Sequence, residues 1–273
     1  MGRDDERAGV AGPRRRRKGR NRLSVRLRGR RGRTEGIFWA PHRIGWWTGA
    51  LFAVGSTLFL VPSLPGAAEV ASAEVIAITY FAGSIFFTTA GYTQYLEVLN
   101  ADREHLPDDA GIRWFGWEPG EAGFWAATIQ SIGTLCFNVS TFAALSDALE
   151  PRGEDLLVWL PDAYGSICFL IASWIAVREV CGSGRPWWSP RRHEWQISWL
   201  NMAGSVAFGA SAVAAYVVQD TGELRNAALA TSGTLVGAAC FLAGAILLMP
   251  EAAVDEDHDW LDARLAAAGD AIR

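Results

Sequence analysis

Lysine is nearly absent from this chain of 273 residues: one Lys stands against 24 Arg. Ala and Gly are abundant as well, so the Arg excess reads as a coding bias and not as a guanidinium-specific function. Cysteine is sparse, with four in all. Cys136, Cys168 and Cys240 fall inside apolar runs and Cys181 just after one. No C-x-x-C pair exists, which argues against a disulfide framework or a zinc site. Each of these residues reads as a small hydrophobe. The four histidines (His42, His105, His193, His258) show neither H-x3-H nor H-E-x-x-H spacing, so no metal or cofactor is expected. No Ser/His/Asp set stands out, so an enzyme is not expected either. His193-Glu194 reads as a solvated pair in a basic loop.

Charge is missing in a patterned way. Half the chain is apolar, with 13 Trp and 13 Phe, too much for an ordinary soluble domain. Six segments, about 44–62, 75–96, 124–145, 161–177, 196–218 and 227–250, contain no Lys, Arg or Glu, and Asp162 lies at the edge of the fourth. A bilayer core about 30 Å thick needs about 20 apolar residues in a spanning helix. The sequence therefore predicts an all-α integral membrane protein with six transmembrane helices. With the N-terminus in the cytoplasm, 23 basic residues fall inside and only Arg152 and Arg225 outside. The positive-inside rule then places both termini in the cytoplasm. "ASAE" at 71–74 resembles a signal-peptide cleavage site but lies about ten residues beyond the first run. That run reads as a retained anchor.

Each predicted span carries Gly-small-x-x-Phe. It reads "GSTLF" from Gly55, "GSIFF" from Gly83, "GTLCF" from Gly133, "GSICF" from Gly165, "GSVAF" from Gly204 and "GAACF" from Gly237. Before each odd span comes W-x-P-x4-[W/F], in Trp39–Trp46, Trp117–Phe124 and Trp188–Trp195. Fourteen residues after each even glycine comes a glutamate: Glu97, Glu179 and Glu251. The chain thus reads as three two-helix repeats, about 38–100, 116–181 and 187–252. With two spans each, the copies are parallel, and their pseudo-threefold axis runs along the membrane normal.

At 100° per residue the Phe and Glu share the glycine's face, while the aromatic nine residues before it lies opposite. The glycine face is expected to pack on a neighbour. The aromatics are expected to point outward as an interfacial belt. The two tandem Gly-Ser-x-x-Phe helices, "FAVGSTLF" and "FAGSIFF", resemble the YrhK-like domain, a two-helix unit of bacterial membrane proteins. The resemblance covers 46–97 best and 196–251 more loosely. It implies a membrane location and carries over no functional residue.

Residues 1–36 form a basic tail, 37–252 the transmembrane domain and 253–273 an acidic cytoplasmic tail with a short helix from about Trp260. The basic tail reads as a disordered topogenic segment drawn to anionic lipid. It has no interleaved aromatics, so nucleic acid is not the expected partner. A homo-oligomer or protein partner is compatible with the small-residue faces. Gln130, Asn138 and Asn201, the polar residues at depth, are expected to bond between helices. With no ionisable group at depth, a non-catalytic scaffold or assembly partner ranks first. A passive channel or transporter for a small neutral solute ranks second. A dry interior at glycine depth favours the former, and a wet one the latter.

Overall fold

The computed structural model describes residues 39–41, 43–101, 111–146, 148–182, 187–218 and 220–270, with side chains as far as Glu251, Pro151 excepted. The basic segment 1–36 and its proposed lipid contact lie outside the described residues.

Among the described residues the secondary structure is helical apart from one hairpin of two-residue strands. Helix α1 is Ile44–Leu60, continued by a 3-10 turn at Val61–Ser63. A short α2, Ala67–Val70, follows Gly66, whose φ of 82° suits glycine. Helix α3, Ala73–Leu99, is capped by Ser72 accepting from the Val75 N–H. Helix α4 is Ala122–Ala143. A short α5, Pro151–Glu154, passes through a π-turn at Asp155–Trp159 into α6, Leu160–Cys181. Helix α7 is His193–Ala214. β1 (Val217–Val218) pairs antiparallel with β2 (Glu223–Leu224). Helix α8 runs from Ala227 to Asp270.

The six long helices form a closed circuit of contacts in the order α1, α3, α4, α6, α7, α8 and back to α1. Their surface is inverted relative to a water-soluble bundle. Ser56, Ser84, Thr134 and Ser205 are completely buried, whereas Val54, Ile85, Leu135, Ile167, Val206 and Val236 are exposed. Large apolar side chains outward and small or hydroxyl side chains inward suit an apolar solvent, in which packing and hydrogen bonds hold helices together. Five helical segments are long and apolar enough to cross a membrane: Ile44–Ser63, Ala73–Leu99, Arg152–Cys181, His193–Ala214 and Ala227–Glu251. Helix α4 has 22 residues and no charge. Its mean hydropathy is lowered by Gln130, Asn138 and the hydroxyls of Thr128, Ser131, Thr134, Ser140 and Thr141.

The acidic C-terminal segment, expected as a tail with a separate short helix, continues α8 without a break through Pro250. Proline removes one backbone bond, but the following Ala, Glu, Leu and Arg residues favour helix.

Candidate functional site

Within each hairpin the two motif glycines face one another. A methyl placed on Gly133 would sit 3.0 Å from the Gly165 carbonyl oxygen, and one on Gly165 3.0 Å from that of Gly133. The corresponding distance is 3.2 Å from Gly55 to Gly83 and 3.1 Å from Gly204 to Gly237. Each glycine is also covered by the partner helix's phenylalanine, as Gly133 is by Phe169 and Gly237 by Phe208, both 2.8 Å from such a methyl.

Because each phenylalanine leans inward over a glycine, all six meet on the central axis. Phe59, Phe137 and Phe208 of the odd helices form one triangle, with ring centroids 6.5, 6.3 and 6.0 Å apart. Phe87, Phe169 and Phe241 of the even helices form a second, at 6.4, 6.2 and 5.5 Å. Contacts within each hairpin join the triangles: Phe59–Phe87 at 5.3 Å, Phe137–Phe169 at 5.0 Å and Phe208–Phe241 at 5.5 Å. These are ordinary aromatic packing distances, and every ring is at least 94% buried. The axis is closed here by a two-layer aromatic stack.

A cavity lies on each side of the stack. Toward the W-x-P end there is one of about 80 Å³, lined by Gln94, Glu97, Gln130, Ser173, Glu179 and Asn201 among others. Gln130 and Asn201 each stand three residues before their glycine, and Glu97 and Glu179 fourteen after theirs, so the lining recurs in phase. Asn138 instead bridges two hairpins: its Nδ2 donates to Thr88 Oγ1 at 2.5 Å, and its Oδ1 accepts from Ser84 Oγ at 2.6 Å. The α6–α7 seam carries a Ser173–Ser205 hydroxyl pair at 2.8 Å. On the opposite side, beneath the short connections, a second cavity has a volume of about 760 Å³.

Glu97 and Glu251 are buried, Glu179 is half-buried, and none of the three lacks a partner. Ile44 packs against Leu96, and Gly49 stands against Met249. This register puts Arg43, itself only 2% exposed, at the level of Glu97 on one side and Glu251 on the other. Glu194 is buried in the first turn of α7 and pairs with Arg192 at 2.6 Å. It is not the solvated loop residue expected; an acidic side chain is favoured at a helix N-terminus.

The interfacial aromatics also differ from expectation. Trp46 and Phe124 do not face outward but are buried, and Trp195 is half-buried. The lead-in chain folds back, so Trp39, Trp117 and Trp188 cover them edge to face at 5.1, 5.4 and 5.2 Å. It is these covering tryptophans that are exposed. One repeated element escaped the sequence reading. The residue eight before each odd glycine donates a side-chain hydrogen bond to the carbonyl of the W-x-P proline. Trp47 Nε1 reaches Pro41 O at 2.8 Å, Trp125 Nε1 reaches Pro119 O at 3.0 Å and Gln196 Nε2 reaches Pro190 O at 2.8 Å. The aromatic-to-Gln change at the third copy hid it, since only the donor N–H is shared. Asn100, fully buried, was also missed; it accepts from the Arg113 N–H at 3.0 Å and donates to the carbonyls of Leu96 and Arg113. No group of three metal-ligating side chains occurs among the described residues.

No known protein family, curated protein or solved structure matches the chain.

Proposed function

We propose that the chain is a six-span protein of a bacterial cytoplasmic membrane, with both termini cytoplasmic, that serves as a non-catalytic scaffold or assembly partner. In this reading α4 is the sixth span. It is shielded from lipid where its polar residues face α3 and α6. The three hairpins are parallel repeats about a pseudo-threefold axis, each a unit of the YrhK-like kind. The observation that carries the reading is the six-phenylalanine stack. A conducting path needs a continuous polar or wettable lumen, and here rings in mutual contact occupy the axis. The exposed Trp39, Trp117 and Trp188 then serve as contact points for lipid headgroups or a partner.

Transport of a small neutral solute is the second reading. It is favoured by the two cavities on opposite sides of the stack, an arrangement suited to alternating access. The test is a stopped-flow shrinkage assay on proteoliposomes challenged with glycerol or urea. The scaffold reading expects wild-type vesicles to relax no faster than protein-free ones. It also expects Phe87→Ala/Phe169→Ala vesicles to gain permeability. Faster relaxation with the wild-type protein transfers the assignment to transport.

A further inference from the structure

The larger cavity carries a feature that a scaffold does not require. Its volume of about 760 Å³ falls within the roughly 300–1,000 Å³ usual for small-molecule sites. All six long helices contribute to it, through Phe59, Tyr80, Thr141, Asp162, Ser211 and Thr234. Glu154 and Asp162 line it, and no Lys, Arg or His does so among the described residues. Arg152 and Arg225, on the neighbouring connections, are exposed and lie outside the lining.

Asp162 has no hydrogen-bond or ionic partner among the described residues. It does not cap a helix either. α5, the π-turn and α6 run on continuously, and Trp159 keeps helical angles (φ −67°, ψ −47°). The wide turn has a local cause. Pro161 has no N–H, and in a regular helix its ring would press on the Leu157 carbonyl. The chain widens instead, with the Leu160 N–H reaching back to Asp155 O. Glu154, Trp159 and Asp162 all reach the cavity wall from this one stretch.

The aromatic side chains there have already committed their polar atoms. Trp159 Nε1 donates to Ala212 O at 2.8 Å, and the Tyr80 hydroxyl is engaged with Ser63 at 2.7 Å. Both rings line the cavity, Trp159 packed edge to face with Tyr216 at 5.1 Å and Tyr80 with Phe59 at 5.3 Å. Asp162 is half-buried in the cavity wall; a carboxylate withdrawn from water without a counter-charge is costly, and an ionisable group at membrane depth marks a functional site by default. Carboxylates and aromatic rings lining one cavity are the chemistry that recognises an ammonium group.

We propose that this cavity binds a small organic cation, an amine or quaternary ammonium, with Asp162 and Glu154 as counter-charges and Trp159 and Tyr80 as aromatic walls. A bare metal ion suits it poorly, since two carboxylates in a space this large cannot close a coordination shell. The inference goes beyond the scaffold reading and does not depend on whether the bundle conducts.

The test uses the full-length protein in lipid nanodiscs, read by thermal unfolding and by intrinsic tryptophan fluorescence. Probes are choline, tetraethylammonium and putrescine chlorides. Controls at equal ionic strength are NaCl, MgCl2 and 3,3-dimethylbutanol, the neutral isostere of choline. At least one organic cation should raise the melting temperature saturably. Asp162→Asn should weaken that binding at least tenfold, and Glu154→Gln or Trp159→Phe severalfold. These two milder variants carry the test if Asp162→Asn does not fold. Absence of a saturable shift with all three cations overturns the proposal. So does an equal response to dimethylbutanol, a shift with MgCl2 alone, or wild-type affinity in every variant. Binding is read at equilibrium and permeability in vesicles, so a failure of this site and a failure of the scaffold reading give different results.

Discussion

At the residue scale, glycine acts through absence. Between α4 and α6 the two backbones come close enough that even one methyl has no room. A Cβ on Gly133 would meet Cys168 Cβ at 2.9 Å and the Gly165 carbonyl at 3.0 Å. The first is the stiff root of a side chain and the second is backbone, so relief requires the helices to part. Gly209, by contrast, offers a Cβ ordinary contact with Leu170 at 3.4 Å. Gly133→Ala should therefore cost about 1–3 kcal/mol, as overpacking does. Gly209→Ala should leave thermal stability in detergent close to wild type or slightly above it, because alanine restricts the unfolded chain. Equal melting temperatures for the two variants would contradict this account of the hairpin seam.

At the element scale, the lead-in segments and the even-helix ends form one layer. Each W-x-P segment is tied to its own helix twice, by an edge-to-face aromatic pair and by the side-chain bond to the proline carbonyl. Trp125→Phe keeps the ring and removes the bond. A hydrogen bond of this kind is worth about 1 kcal/mol, so the melting point should fall modestly. Protease nicking near Gly116 should quicken more than nicking near Trp187, and uniform nicking would show that the bond does not hold the segment. We expect the glutamates of the same layer to pin each hairpin to an adjacent lead-in segment. A carboxylate at a helix C-terminus opposes the macrodipole by about 0.3–1 kcal/mol, yet Glu97 is buried in the last turn of α3, and Glu251 is buried within α8. Triple Glu→Gln substitution at Glu97, Glu179 and Glu251 should loosen both long connections to protease and lower the melting point. Wild-type nicking in the triple variant removes the pinning role.

At the scale of the whole molecule, the circuit closes because α8 returns to α1, where Gly49 lies against Ala245 and Met249. Closure pairs the motif glycines inside the bundle and turns large apolar side chains outward. With six spans, the three connections beneath the large cavity share one side. Reporter fusions at Gly66, Arg152 and Glu223 should all report the periplasmic side, whereas a cytoplasmic signal from any of them would break the three-hairpin arrangement. In the proposed topology that side also holds the cavity with Asp162, and a ligand would reach it from outside the cell.

Helix positions and the small-residue face were legible in the chain alone, because both are local. Runs of about 20 uncharged apolar residues are long enough for helices, and the six in-phase glycines mark which side lacks bulk. Structure decided what depends on one element meeting another. The phenylalanines read as separate space-fillers, but their convergence into one stack follows from glycine-to-glycine contact tilting each ring toward the axis. Trp46 and Phe124 sit opposite the glycines by helical angle, yet the lead-in chain folds over them, and a periodicity argument cannot see a covering segment. Asp162 looked like an edge residue because depth was counted along the sequence. The cavity around it exists only where α5, the π-turn before Pro161 and the opposing helices come together. Periodicity thus determined which residues share a face. Tertiary contact decided what each face meets, because that depends on the register of chain segments far apart in sequence.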